Sequence, residues 1–270
     1  MLPVPLPLVT ATTYLAPLRE GGSLPGLVEA SDEGVYVVKF RGAGQGRKAL
    51  VAEVVVGELA RRLGLPVPDL VRVELDPGLA PGEPDEEVQD LLRASAGLNL
   101  GMDYLPGSFT LDPVADAGLV PPPLAARVLW LDALTLDVDR SWRNPNLLRW
   151  GSRPWLIDHG AALYFHHDWP RARAGAARAY PVGADHVLLG LAGPLAEADA
   201  ALAPRVDRGL LDEVTALVPD EWLAGEEGFA GPEEVRAAYA EVLLARLEQR
   251  AAWLDPLERL REEVPGARAR

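Results

Sequence analysis

Apolar residues along the first hundred positions fall into short runs separated by turn residues, the pattern of strands. Val9–Leu18 reads as extended. Leu27–Ala30 and Val35–Phe40, divided by Ser31-Asp32-Glu33-Gly34, form a hairpin candidate. Between Val9–Leu18 and that hairpin lies a glycine-rich connection, Glu20–Gly26. From Lys48 to Leu63 the apolar spacing becomes helical and ends at Gly64 and Pro66. Val67–Leu75 and Leu98–Tyr104 read as further strands. The acidic, Pro/Gly-bearing stretch Asp76–Glu87 is either a solvated loop or the start of a surface helix through Leu92.

Beyond Leu105-Pro106-Gly107-Ser108 the periodicity is mainly helical. Pro121–Leu136 is an apolar helix opened by prolines, which the first turn tolerates. Two short strands, Leu147–Trp150 and Pro154–Ile157, interrupt the helical pattern. Pro204–Val218 and Pro232–Leu254 then read as amphipathic helices, followed by a Glu/Arg-rich tail that is expected to fray. Strands followed by helices predict an α+β protein with two lobes, a β-rich 1–105 and a helical 106–270.

Composition narrows the function classes. With 270 residues, 49% of them apolar, the chain can bury one substantial core or two modest ones. A net charge of −14 argues against general binding of nucleic acid or anionic membranes. No run approaches the ~20 apolar residues that span a bilayer. Met1–Thr10 carries neither a basic segment nor a small-residue cleavage site, so no signal peptide is expected. The lack of cysteine excludes disulfides and thiolate metal sites and fits a cytoplasmic protein. The four histidines have no zinc-ligand spacing, and His166-His167 read as surface or loop residues.

Lysine occurs only at Lys39 and Lys48 among 26 basic residues. A lysine retained in an arginine-rich background is a candidate for a role that a guanidinium cannot fill. Lys39 ends an apolar strand, where a partly buried ammonium needs an anion, and Glu53 on the following helix could supply it. Gly42–Lys48 has neither dinucleotide-fingerprint nor Walker spacing and reads as a flexible connection. Gly21-Gly22-Ser23 lies upstream of Lys39, in the order expected of a loop that covers phosphates.

The chemistry-bearing pattern is Asp139-Arg140-Ser141-Trp142-Arg143-Asn144-Pro145-Asn146, followed after a short hairpin by Ile157-Asp158-His159-Gly160. In phosphoryl transfer one acid orients the hydroxyl nucleophile, while an amide and a second acid hold magnesium. Asp139 follows the end of an apolar helix, where the dipole disfavours an acid unless Arg140 or a metal compensates. Two criteria for the amide diverge. Spacing from Asp139 selects Asn144, and the position directly before an apolar strand selects Asn146.

These residues, with Gly21–Pro25, Tyr36–Phe40, the segment from Glu53 to Ala60, Gly64–Pro68 and Met102-Asp103-Tyr104, resemble the HipA-like kinases over most of the chain. They more distantly resemble the phosphoinositide kinases and aminoglycoside phosphotransferases. The resemblance implies a bilobal kinase fold that uses ATP and Mg2+. Met102, Asp103 and Tyr104 would form the adenine hinge, and Gly21, Gly22 and Ser23 would cover the phosphates. Lys39 would contact the phosphates and Glu53 would position it. Asp139 would be the catalytic acid/base, and Asn144 or Asn146, with Asp158, would bind the metal. The implied activity is transfer of the γ-phosphoryl group to a hydroxyl, with protein Ser/Thr as the preferred acceptor class. The alternative is a catalytically weak, pseudokinase-like module that binds nucleotide and regulates a partner.

Overall fold

The computed structural model describes residues 4–18, 24–181 and 185–264. The expected phosphate-covering residues Gly21, Gly22 and Ser23 lie outside the described residues. Five strands form a closed barrel: β1 (Leu8–Pro17), β2 (Gly26–Ala30), β3 (Val35–Lys39), β4 (Leu70–Leu75) and β5 (Gly97–Asp103). Their spatial order is β1-β2-β3-β5-β4, and the parallel pairing of Val9 with Val73 closes the ring. Closure removes free strand edges. Alternation along β1–β3 places Val9, Ala11, Val28, Ala30, Tyr36 and Val38 in a core with Val71 and Val73. A glycine at position 101 is required here, because an added Cβ would lie 2.7 Å from Val73 Cγ2 and 2.8 Å from Val71 Cγ2.

Helix α1 (Gly46–Arg62) links β3 to β4. Every residue from Ala49 to Ala60 is buried, including Glu53 and Glu58. This goes beyond the one-sided pattern of a surface helix. One side of α1 meets the barrel near Leu70 and Leu100, and the other packs against α6 (Arg208–Thr215) and α7 (Asp220–Leu223). The acidic segment resolves into a helical turn and then α2 (Glu86–Ala94), capped by Asp85, whose side chain accepts from the Glu87 amide at 3.0 Å.

The second half is built on α3 (Pro122–Thr135), which is buried on nearly all sides and ends in left-handed Leu136 (φ 56°). A small sheet of β6 (Phe109–Thr110), β7 (Leu147–Trp150) and β8 (Arg153–Leu156) follows the order β6-β7-β8. The remaining helices are α4 (Trp169–Ala172), α5 (Leu195–Leu202), α8 (Pro232–Glu248) and α9 (Ala251–Glu263).

Two helical expectations need correction. The segment expected as one helix over Pro204–Val218 is α6 alone, with a turn through Ala203–Arg205 before it and the unanticipated α5 upstream. The helix expected over Pro232–Leu254 is two, broken at Gln249–Arg250, and the tail is ordered through Glu263. At that break Trp253 Nε1 donates to Arg246 O at 3.0 Å, and the ring meets Trp130 edge-on. The larger core is continuous from α1 into α3, α6, α8 and α9, so apolar packing crosses the chain at Pro106.

Candidate active site

Between barrel and helices lies a cleft of about 770 Å³, within the usual range for a small-molecule site. Val37, Leu100 and Met102 line it from the barrel, and Leu147, Leu148 and Ile157 from the β7–β8 hairpin. Lys39, Glu53, Asn144, Asn146 and Asp158 converge on the same space, as do Asp103 and Tyr104. The Asp103 amide donates to Asp69 O at 2.8 Å and the Tyr104 amide to Val35 O at 3.0 Å, which holds this segment of backbone against the barrel.

Lys39 closes β3, and alternation turns its side chain toward α1 and the cleft. Its ammonium pairs with Glu53 Oε1 and lies 2.5 Å from Asp158 Oδ1. Burial disfavours the Lys39 charge, but the two carboxylates outweigh it and raise the pKa above the usual lysine value. Burial likewise works against the Asp158 charge, and Lys39 reverses the balance, so Asp158 is lowered. Glu53 Oε2 is buried and has no hydrogen-bond partner among the described residues. Gly160 leaves room for this cluster, because a Cβ there would lie 3.2 Å from Glu53 Oε1 and 3.4 Å from Ala49 Cβ.

Asn146 and Asp158 flank the hairpin in the left-handed region, at φ 48° and 57°. Asn and Asp tolerate that conformation better than other side chains. Buried Asn146 donates through Nδ2 to Asp139 O at 3.1 Å, with longer contacts of 3.4 Å to Asp139 Oδ2 and to Asp158 O. It thereby ties together the two acid-bearing loops. Exposed Asn144 donates to Asp139 Oδ2 at 2.8 Å. The half-buried Asp139 carboxyl is raised from its ordinary value by burial and by the nearby Asp158 and Asp137, against the two asparagine bonds.

Of the two compensating groups considered for Asp139, Arg140 or a metal, Arg140 does not fill that role. It turns inward, fully buried, onto Asp132 (2.7 Å) and Asp137 (3.5 Å), and donates to Asn146 O at 2.5 Å. Burial disfavours its charge, but Asp132 and Asp137 hold it above the ordinary arginine value. His186 Nε2 sits 3.0 Å from Asp132 Oδ2, His159 Nδ1 3.3 Å from Arg140 Nη2, and Tyr180 donates to Asp137 O. This buried network braces the Asp139 loop from behind. Sequence reasoning missed it, although Asp132 within the long apolar run of α3 from Val128 to Leu134 was a usable signal. The expectation that His166-His167 are surface or loop residues is corrected for His166, which is buried with Nδ1 3.0 Å from Tyr239 Oη, while His167 is exposed.

The sequence matches the HipA-like kinase family over residues 12–255. The chain belongs to this family. Among solved structures it is similar to CtkA, a proinflammatory kinase of Helicobacter pylori, at TM-score 0.52 and 13% identity, covering 92% of this chain and 94% of that one. That likeness shows the fold of a kinase. The Golgi casein kinase with Mn/ADP bound is similar at TM-score 0.47 and 12% identity, covering 97% of this chain and 76% of that one. Among curated proteins, no sequence matches. Among the described residues, no helix is long and apolar enough to cross a membrane.

Proposed function

We propose that this HipA-like kinase is an ATP- and Mg2+-dependent phosphotransferase that transfers the γ-phosphoryl group to a hydroxyl, with protein Ser/Thr the preferred acceptor class. The observation that carries the reading is the meeting of Lys39, Glu53, Asn146 and Asp158 in one cleft of nucleotide-accommodating size. The donor set fits magnesium. No cluster of three or more His, Asp or Glu able to hold a metal occurs among the described residues. Magnesium usually takes only one or two carboxylates and completes its shell with phosphates and water. Asp158 would supply the carboxylate. Asn146 spends Nδ2 on the Asp139 and Asp158 carbonyls, which leaves its amide oxygen for the cleft, and its burial beside the Asp158 loop favours it over the exposed Asn144.

In this reading Lys39 contacts the phosphates and Glu53 holds its ammonium in place. Met102 supplies an apolar wall for the base, beside Asp103 and Tyr104. Bound Mg-ATP supplies the phosphoryl group, with its charge neutralised by the metal. Asp139 orients the acceptor hydroxyl and takes its proton, a role aided by a raised pKa. Expected results are phosphate incorporation into Ser/Thr-containing protein with Mg-ATP and its loss in a folded Asp139→Asn variant. Transfer unchanged by that variant contradicts the assignment of Asp139.

One observation favours a second reading, a regulatory nucleotide-binding module with little turnover. Asp139 Oδ2 already accepts from both Asn144 and Asn146. Tight Mg-ATP binding without turnover on any protein or small hydroxyl acceptor supports that reading.

A further inference from the structure

A second cavity, of about 490 Å³, lies among the helices, between the segment that follows Asp158 and helix α8. Its walls are mainly apolar, from Leu136, Val138, Phe165, Ala172, Ala176 and Val242. Into this lining comes Arg246, on the last turn of α8 and fully buried. The guanidinium has no carboxylate partner among the described residues. Its Nε donates to Ala133 O at 2.8 Å, and Nη1 to Ala176 O and Arg178 O at 3.0 and 2.9 Å. Nη2 is buried with no hydrogen-bond partner. One face of the group lies 5.2 Å from the Trp253 ring.

Among the described residues the other fully buried arginine is Arg140, which by contrast has Asp132 beside it. A buried guanidinium satisfied only by carbonyls and one ring retains an uncompensated charge. Burial accordingly lowers the Arg246 pKa to about 10. At the rim stand exposed Arg171 and Arg178, while the one acid of the lining, Asp168, is already paired with Arg171 at 3.1 Å. In a chain of net charge −14 this is a locally basic, apolar-walled hole.

We propose that this cavity is a second ligand site, for a small amphipathic anion whose apolar body fills the pocket and whose oxyanion accepts from Arg246 Nη2. Carboxylate and phosphate monoester share that chemistry, and the planar guanidinium suits either. The site is separate from the nucleotide cleft and does not depend on the activity proposed for it. Its position nevertheless joins it to the catalytic loop. Arg246 grips the end of α3 through Ala133 O, and Leu136 and Val138 of the wall lead directly into Asp139.

The test is calorimetric titration of the full chain, without nucleotide, using 4-phenylbutanoate, 4-phenylbutyl phosphate and the neutral 4-phenylbutan-1-ol. The expected result is 1:1 binding of at least one anion, roughly tenfold or more tighter than the alcohol, because the charged hydrogen bond is lost. The preferred anion identifies the source of the oxyanion. Arg246→Met should weaken anion binding to the level of the alcohol. Ala179→Trp, at an exposed position of the lining, should block all three ligands and serves if Arg246→Met does not fold. Lys39→Met, in the other cleft, should leave binding unchanged. No binding of either anion to wild type, equal affinity for anion and alcohol, or binding that survives Ala179→Trp overturns the proposal.

Discussion

Lys39 Nζ stands 2.5 Å from Asp158 Oδ1, a contact between residues 119 positions apart that joins the barrel to the helical half. Glu53 completes the cluster from α1, so three elements meet on one ammonium. Lys39 is only slightly exposed, at 13% of its side chain, and Asp158 is at 35%, so the charge faces a confined space that an anion can enter. Replacing Lys39 with Met should lower phosphoryl transfer on the order of 100-fold or more, as expected for one removed charge-stabilising donor. Lys39→Arg should not restore it, because the planar group cannot occupy the point-charge position between two carboxylates. Turnover rates with circular dichroism as a folding control check this.

The two asparagines should separate by metal dependence. Asn146→Ala removes the amide that ties Asp139 O to Asp158 O, and the magnesium concentration for half-maximal transfer should rise roughly tenfold or more. Asn144→Ala removes an exposed bond to Asp139 and should change that concentration little. A magnesium titration of both variants decides between them.

Behind the loop, Arg140 is the only cation bonded to Asp132 and Asp137 among the described residues apart from the nearby histidines. Arg140→Leu takes the guanidinium from two buried carboxylates, leaving only His186 on Asp132 and His159 near Asp137, and should destabilise the fold by roughly 3–5 kcal/mol. Urea unfolding measures it. Because Arg140 also holds Asn146 O, an Arg140→Lys variant that folds should still lose transfer activity.

His166 supplies a pH signature. Burial, with Lys48 and His167 nearby, lowers its pKa from 6.5 to about 3. The unfolded chain therefore binds a proton below about pH 6.5 that the folded chain refuses until about pH 3. Stability from this group is complete above pH 6.5 and falls through that window, by at most about 1.4 kcal/mol per pH unit. In His166→Phe the fall should flatten, a difference visible in melting temperatures between pH 7 and pH 4.5.

Local patterning made the strands and α1 legible, though not their closure into a barrel: the hairpin turn at Ser31–Gly34, the helix stop at Gly64 and the alternation of Val35–Lys39 each act over a few residues. The α8–α9 break was not legible, because no Gly or Pro marks Gln249–Arg250 and the bend depends on Trp253 meeting Trp130 across the core. The burial of His166 depends on Tyr239, 73 positions away, and local sequence carries no trace of it. Lys39, Glu53 and Asp158 could be singled out because buried charges are costly without partners, whereas spacing left Asn144 and Asn146 undivided. The direction of Arg140 could not be read, since an arginine beside an acid pairs as plausibly with that neighbour as with a carboxylate eight residues back. Lys48, read both as the end of a flexible connection and as the start of the helix, lies in α1, but its partners were not legible. It reaches His166 O and Glu226, fixing the start of α1 to the helical half.

The central claim is that the cleft holds a magnesium nucleotide through Asp158. Titration calorimetry of Mg-ATP into wild type and into Asp158→Ala, both verified as folded, tests it most directly. The account predicts magnesium-dependent binding to wild type that is abolished in the variant. No binding to folded wild type, or equal binding to the variant, would contradict it.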